Sequence, residues 1–113
     1  MTFYLTKDQI EIQQRARQIA STVVAENAVE VDKSEQYPWD NVKALTDAGF
    51  VGMTIPKEYG GPGRSFLEAN LVVEEMAAYC GPTGRIAVEA NMGAISAVMH
   101  YGTDFQKRLA AEL

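Results

Sequence analysis

Residues 48–63, Ala-Gly-Phe-Val-Gly-Met-Thr-Ile-Pro-Lys-Glu-Tyr-Gly-Gly-Pro-Gly, do most to limit what this 113-residue chain can fold into. No regular helix or strand runs through so many glycines and prolines. Gly49 ends a short helical pattern that opens at Pro38. Ile55 is pushed out of the helical region by Pro56, which fixes an extended stretch. Residues 59–63 then make a tight turn, and Ser65 opens another helix. The spacing therefore predicts helices on both sides of one irregular crossing around residues 50–64.

The flanking helices announce themselves by their starts. Thr6 and Gln9 have capping-box spacing, with Leu5 and Ile10 at the hydrophobic-staple positions. Behind them Ile12, Ala16, Ile19, Ala20, Val23 and Val24 fall on one stripe. The polar segment 27–37 reads as a weakening helix end and a loop. Pro38 suits a first helical turn, with Trp39, Val42 and Leu45 as the buried side. Ser65 with Glu68 is a second capping box, before Ala69, Val72, Val73, Met76, Ala77 and Cys80 at helical spacing. That helix is expected to end at Gly81-Pro82. One long helix is expected from about Gly84 to Tyr101, with Ala87, Ala90, Gly93, Ala94 and Ala97 as small surface residues. Gly102 closes it, and Thr103 with Gln106 opens a last helix. No alternating strand pattern occurs. The reading is all-α, with about five helices in one domain over residues 1–113.

Composition removes several classes of function. A net charge of −5 with scattered basic residues is unsuited to nucleic acid or an anionic membrane. Cys80 is the single cysteine, which excludes an internal disulfide and a cysteine metal cluster. No apolar run approaches the roughly 20 residues that cross a bilayer. The start of the chain has no signal-peptide core or transit-peptide pattern, so a cytoplasmic location is expected.

The side chains offer little chemistry of their own. Gly60, Gly61 and Gly63 lack the Gly-Lys-Ser/Thr of a phosphate loop, and Phe66 stands where a dinucleotide fingerprint needs its third glycine. They read as a structural turn. His100 has no spaced carboxylate or second ligand and reads as a half-exposed helix-end residue. Cys80 reads as a small buried apolar residue. Glu74 and Glu75 diverge around their helix and read as solvated or paired to basic side chains. Glu89, in the middle of the long helix, stands apart because small residues surround it. A row of Ala and Gly admits either a neighbouring helix or a ligand, and both readings stay open.

The order helix, Gly-Phe-Val-Gly, Ile-Pro, Glu-Tyr-Gly-Gly, helix resembles the amino-terminal region of acyl-CoA dehydrogenases. Val73-Glu74-Glu75-Met76-Ala77, Ala87-Val88-Glu89-Ala90-Asn91 and Gly102-Thr103-Asp104-Phe105-Gln106-Lys107 extend the resemblance over essentially the whole chain. It implies the helical, up-and-down bundle-like amino-terminal domain of an FAD-dependent enzyme. Such an enzyme introduces an α,β double bond into an acyl-CoA thioester and usually passes electrons to an electron-transfer flavoprotein. It also implies a homo-oligomer, a tetramer in the family, and a long helix forming one wall of the acyl pocket. On that wall the substrate-binding positions are Ile86, Glu89, Ala90 and Gly93, which share a face at offsets of three, four and seven.

The chain ends before the family's Thr-Glu-Pro- and Gly-Ser-Asp-rich β-domain signature and before its carboxy-terminal bundle. No catalytic base is assigned, and FAD is expected to be held mainly by those further domains. By itself the chain is expected to be colourless, inactive, marginally stable and self-associating through the apolar face left open. The alternative, from another class, is a stand-alone helical interaction module without catalytic activity.

Overall fold

The structure is a computed structural model and describes residues 4–112. Among these residues it is entirely helical, with no strand. The elements are α1 (Lys7–Ile19), α2 (Ala25–Ser34), α3 (Trp39–Asp47), α4 (Phe66–Ala77), α5 (Gly81–Asn91), α6 (Ala94–Tyr101) and α7 (Asp104–Glu112). A π turn at Ala20–Val24 joins α1 to α2, and a 3-10 turn at Lys57–Tyr59 lies in the long crossing.

The Thr6–Gln9 box closes in both directions, at 3.0 and 3.2 Å. Leu5 and Ile10 are half-buried at the staple positions. The buried stripe of this first rod is Ile12, Ala16, Ala20 and Val24. A strict four-residue step drifts around a helix of about 3.6 residues per turn, and the wider π turn takes up that drift. Thr22 Oγ1 donates to the Gln18 carbonyl at 2.7 Å, a back-bond of the kind that accompanies local helix distortion. The rod then continues to Ser34, further than the polar composition of 27–37 predicts. Ala28 and Val31 still pack on the core, and Asn27 Nδ2 donates to Asn41 Oδ1 at 3.0 Å.

Residues 35–38 turn the chain into α3, with Pro38 as N-cap. Leu45 is buried and Gly49 adopts the left-handed φ of +78° that stops the helix. Trp39, expected inside, is 69% exposed. The inward position belongs to Asn41, whose Nδ2 donates to Thr83 Oγ1 at 3.0 Å on α5. Cys80, buried as expected, accepts the Thr83 hydroxyl at 3.2 Å.

Ser65 is the N-cap of α4, but no side-chain bond closes the expected box, and Glu68 Oε2 is buried without a partner. Cys80 ends the short connection to α5, so Gly81-Pro82 opens α5 instead of closing α4. Helix α4 packs on both α1 and α5. The core gathers Phe50, Met53, Leu45, Val72 and Met76 between them. Glu75, buried on α4, takes two bonds from Arg17 at 2.8 and 3.2 Å, the basic partner that the sequence suggested.

The expected long helix is two. Met92 and Gly93 N–H both donate to the Val88 carbonyl, at 2.7 and 2.9 Å, and α6 starts afresh at Ala94. The Thr103–Gln106 box, by contrast, forms in full and opens α7. The whole measures 40 × 38 × 19 Å. A helix with side chains is about 10–12 Å across, so the slab is about two layers thick and leaves broad faces open.

Candidate functional site

The four expected wall residues sit at the α5–α6 junction, all half-buried. Ile86, Glu89 and Ala90 share the α5 face as the spacing predicts. Gly93 does not continue it, because it lies in the break with φ −83° and ψ −105°. The break has a local cause. Glu89 Oε2 accepts the Ala94 N–H at 3.2 Å, capping α6 from the preceding helix. A Cβ at residue 93 would fall on that carboxylate, so glycine is the residue that lets Glu89 reach over. The other Glu89 oxygen pairs with Arg85 at 2.5 Å, one turn earlier.

Asn91 fixes the far side of the junction and was not singled out from the sequence. It is fully buried. Its Oδ1 accepts the Met53 N–H at 2.8 Å, and its Nδ2 donates to the Phe50 and Ala87 carbonyls at 2.8 and 2.9 Å. Thr54 Oγ1 donates to its carbonyl, and Gly52 N–H donates to that of Ala90 at 3.1 Å. Residues 50–54 are thus clamped onto the end of α5. Its only sequence signal was its place in the Ala87–Asn91 motif.

A cleft of about 480 Å³ opens beside α5. Ile86 and Arg85 line it with Pro82, and Val31, Tyr37 and Pro38 form the opposite side. Glu89, Ala90 and Gly93 lie outside it. The cleft offers mainly apolar surface, with the Arg85 guanidinium and the Glu35 carboxylate as its two charged groups.

The other candidates resolve as structural. Gly60 takes φ +85°, and a Cβ on Gly61 would collide with the Ile55 backbone. The glycine amides are used internally. Gly61 N–H donates to Pro56 at 3.1 Å and Gly63 N–H to Ile55 at 2.9 Å, so the turn is no phosphate cradle. His100, exposed in the last turn of α6, has Nδ1 at 2.7 Å from the Ser96 carbonyl. Among the described residues no group of acidic, His and Cys side chains could hold a metal. Tyr59 rests against α7, under Arg108 at 5.5 Å and beside Asp104 at 3.4 Å. Burial pushes its phenol up, and Arg108 holds the Asp104 carboxyl below the usual aspartate range.

Residues 6–110 match the family described as acyl-CoA dehydrogenase, N-terminal domain. The chain belongs to that family. It is similar to a 3-sulfinopropanoyl-CoA desulfinase of Variovorax paradoxus, with 55% identity over 96% of this chain and 27% of the relative. A short-chain-specific acyl-CoA dehydrogenase of Clostridium acetobutylicum is 36% identical over 96% of the chain and 28% of its own length. An NADH-dependent acryloyl-CoA reductase of Anaerotignum propionicum is 35% identical over 95% and 27%. The chain thus spans a little over a quarter of the length of these curated relatives. No helix among the described residues is long and apolar enough to cross a membrane.

Proposed function

We propose that this chain is the amino-terminal helical domain of a longer acyl-CoA-processing subunit, and that the acyl group is short and ends in a sulfinate. The identity pattern carries this reading. Four relatives named 3-sulfinopropanoyl-CoA desulfinase share 50–55% of residues with the chain. Relatives named for dehydrogenation or reduction share 34–36%. The cleft beside α5 supports it, because Ile86 supplies apolar contact while Arg85 can donate two parallel bonds to sulfinate oxygens. Of the four expected wall residues Ile86 lines this cleft, and Glu89 acts from outside it by holding Arg85 and the helix break in place.

The balance of the reaction separates this reading from the runner-up. A sulfinate and water give a C–H bond and hydrogen sulfite, with the carbon keeping the electron pair of the broken C–S bond. No external electron acceptor is consumed. The second reading, supported by the Clostridium relative, is α,β-dehydrogenation of a plain short acyl-CoA. There FAD would take up the hydride and an electron-transfer flavoprotein would remove the electrons. The internally used glycine amides at 61 and 63 do not fit a flavin diphosphate. Flavin binding, the catalytic base and the tetramer contacts belong to the further domains. Tyr101 at the end of α6, and Phe105 and Leu109 one turn apart on α7, are exposed and offer apolar surface to those domains.

The test is made on the full-length protein, offered 3-sulfinopropanoyl-CoA and butanoyl-CoA in turn. Sulfite release from the first without an added acceptor is expected, and acceptor-dependent oxidation of the second without sulfite release would select the runner-up. Arg85→Met should cost roughly 100-fold in kcat/KM for the sulfinate substrate, since a lost charge-assisted pair is worth about 1.5–3 kcal/mol. Ile86→Phe should narrow the acyl range. Gly93→Leu is the poorer probe, because it would also displace Glu89 from Ala94.

A further inference from the structure

The corner between α2 and α3 carries a second cleft, which adjoins the one beside α5 and shares Val31, Gln36, Tyr37 and Pro38 with it. It measures about 230 Å³, and Asn27, Glu30, Ser34, Tyr37, Trp39 and Asp40 are among its lining residues. Its position follows from the turn at 35–38. Glu35 takes a left-handed φ of +55°, and Trp39 N–H bonds back to the Tyr37 carbonyl at 2.9 Å. This tight reversal turns two aromatic side chains outward. Their rings meet edge to face at 4.6 Å, so each fixes the orientation of the other. Tyr37 nevertheless remains 50% exposed and Trp39 69% exposed. A large aromatic pair of this kind, held rigid and left wet, has the composition of an interaction hot spot.

Charge tells what would cover it. Residues 25–42 contain Glu26, Glu30, Asp32, Glu35 and Asp40 against Lys33 alone, a net −4, and all six are exposed. The whole chain carries −5, so the other residues together contribute only −1. Two of these carboxylates, Glu30 and Asp40, line the aromatic cleft itself. None of the cleft's lining residues is basic. An aromatic face combined with flanking carboxylates selects a planar cation, which stacks on the ring and donates to the acid at once. A nucleic acid or an anionic lipid surface is repelled by the same field.

We propose that this corner is a docking site for a basic segment of a partner protein, with an arginine side chain seated on Trp39 between Glu30 and Asp40. Asn27 adds an amide to the floor, because its Nδ2 is committed to Asn41 while its carbonyl oxygen remains an acceptor. Glu30, Trp39 and Asp40 line this cleft and not the one beside α5, so the proposal does not depend on the identity of the acyl group.

Trp39 is the only tryptophan in the chain, so its emission reports on this cleft alone. The probe is amidated tetra-arginine, titrated into the chain at low and at doubled salt. We expect a saturable change in Trp39 emission that weakens as salt rises. Glu30→Gln and Asp40→Asn should each weaken binding about three- to ten-fold, in line with a partly desolvated pair at an aromatic face. Glu58→Gln, which removes the same charge from the 3-10 turn, should leave the affinity unchanged. Trp39→Ala, followed by calorimetry, should lose binding while far-ultraviolet circular dichroism stays as in the wild type.

No saturable change would overturn the proposal. So would equal binding of amidated tetra-glutamate, or an effect of Glu58→Gln as large as that of Asp40→Asn. The same titration on a longer chain, extended to the length of the relatives, separates the remaining occupant. A cleft that binds in the short chain and is silent in the long one is filled by the protein itself, and the partner assignment is then wrong.

Discussion

Replacing Asn91 by alanine removes three side-chain bonds at once, and their worth can be estimated from their partners. The Ala87 carbonyl lies within α5 and keeps its helical surroundings. The Met53 N–H and the Phe50 carbonyl have no such substitute, since both residues are buried. Each buried group left without a partner costs about 1–3 kcal/mol, giving roughly 2–6 kcal/mol for the pair before any cavity is counted. A domain of this size has a total stability of about 6–17 kcal/mol, so the loss is a large share of it. In urea, with a slope near 1.5 kcal/mol per molar, a loss of about 3 kcal/mol lowers the midpoint by about 2 M. The assay is circular dichroism at increasing urea. Asn70→Ala is the control, because Asn70 is exposed and bonds only to the Phe66 carbonyl of its own helix. A loss under about 1 kcal/mol for Asn91→Ala, or an equal loss for the control, would refute the view that this amide holds residues 50–54 on α5.

Three further outcomes are expected. Gly84→Ala would place its Cβ 2.7 and 2.9 Å from the Ala77 Cβ and Cα, forcing α4 and α5 apart. It should cost about 1–3 kcal/mol, whereas Gly81→Ala, with nothing within 4 Å, should be near neutral; equal melting temperatures would contradict this. Glu35→Gly relieves the left-handed strain at the end of α2 and should raise stability by about 1 kcal/mol, so a lowered melting temperature would count against it. Arg64 bonds to Asp8 and holds that carboxyl below the usual aspartate range. A depressed folded-state value means the ion pair stabilises while Asp8 is ionised and is lost as pH falls through that value. Melting temperatures from pH 6 down to 3 should therefore fall less in Asp8→Asn than in the wild type, and parallel slopes would show that the pair contributes nothing.

What the sequence by itself determined lies within one or two helical turns. The Thr6–Gln9 and Thr103–Gln106 boxes, the stop at Gly49 and the turn at Gly60-Gly61 all came out as the residues dictate. Each depends on neighbours no more than six positions away. The family resemblance rested on the same short motifs, and it placed Ile86, Glu89 and Ala90 on one face of α5. Tertiary structure decided the rest. The Ser65–Glu68 spacing is as good as the other two boxes, yet Glu68 Oε2 ends up buried without a partner. Trp39 belongs to an apolar pattern but yields the inward position to Asn41, because Asn27 and Thr83, 14 and 42 positions away, supply that amide with partners. The helix that should run to Tyr101 breaks at residues 92–93 because Glu89 can cap Ala94 over a glycine. Asn91 meanwhile bonds to Phe50 and Met53, 41 and 38 positions away. Those bonds satisfy buried backbone groups that no local pattern can reveal. A polar side chain turns inward only where the fold brings it a partner, and that partner is distant in sequence.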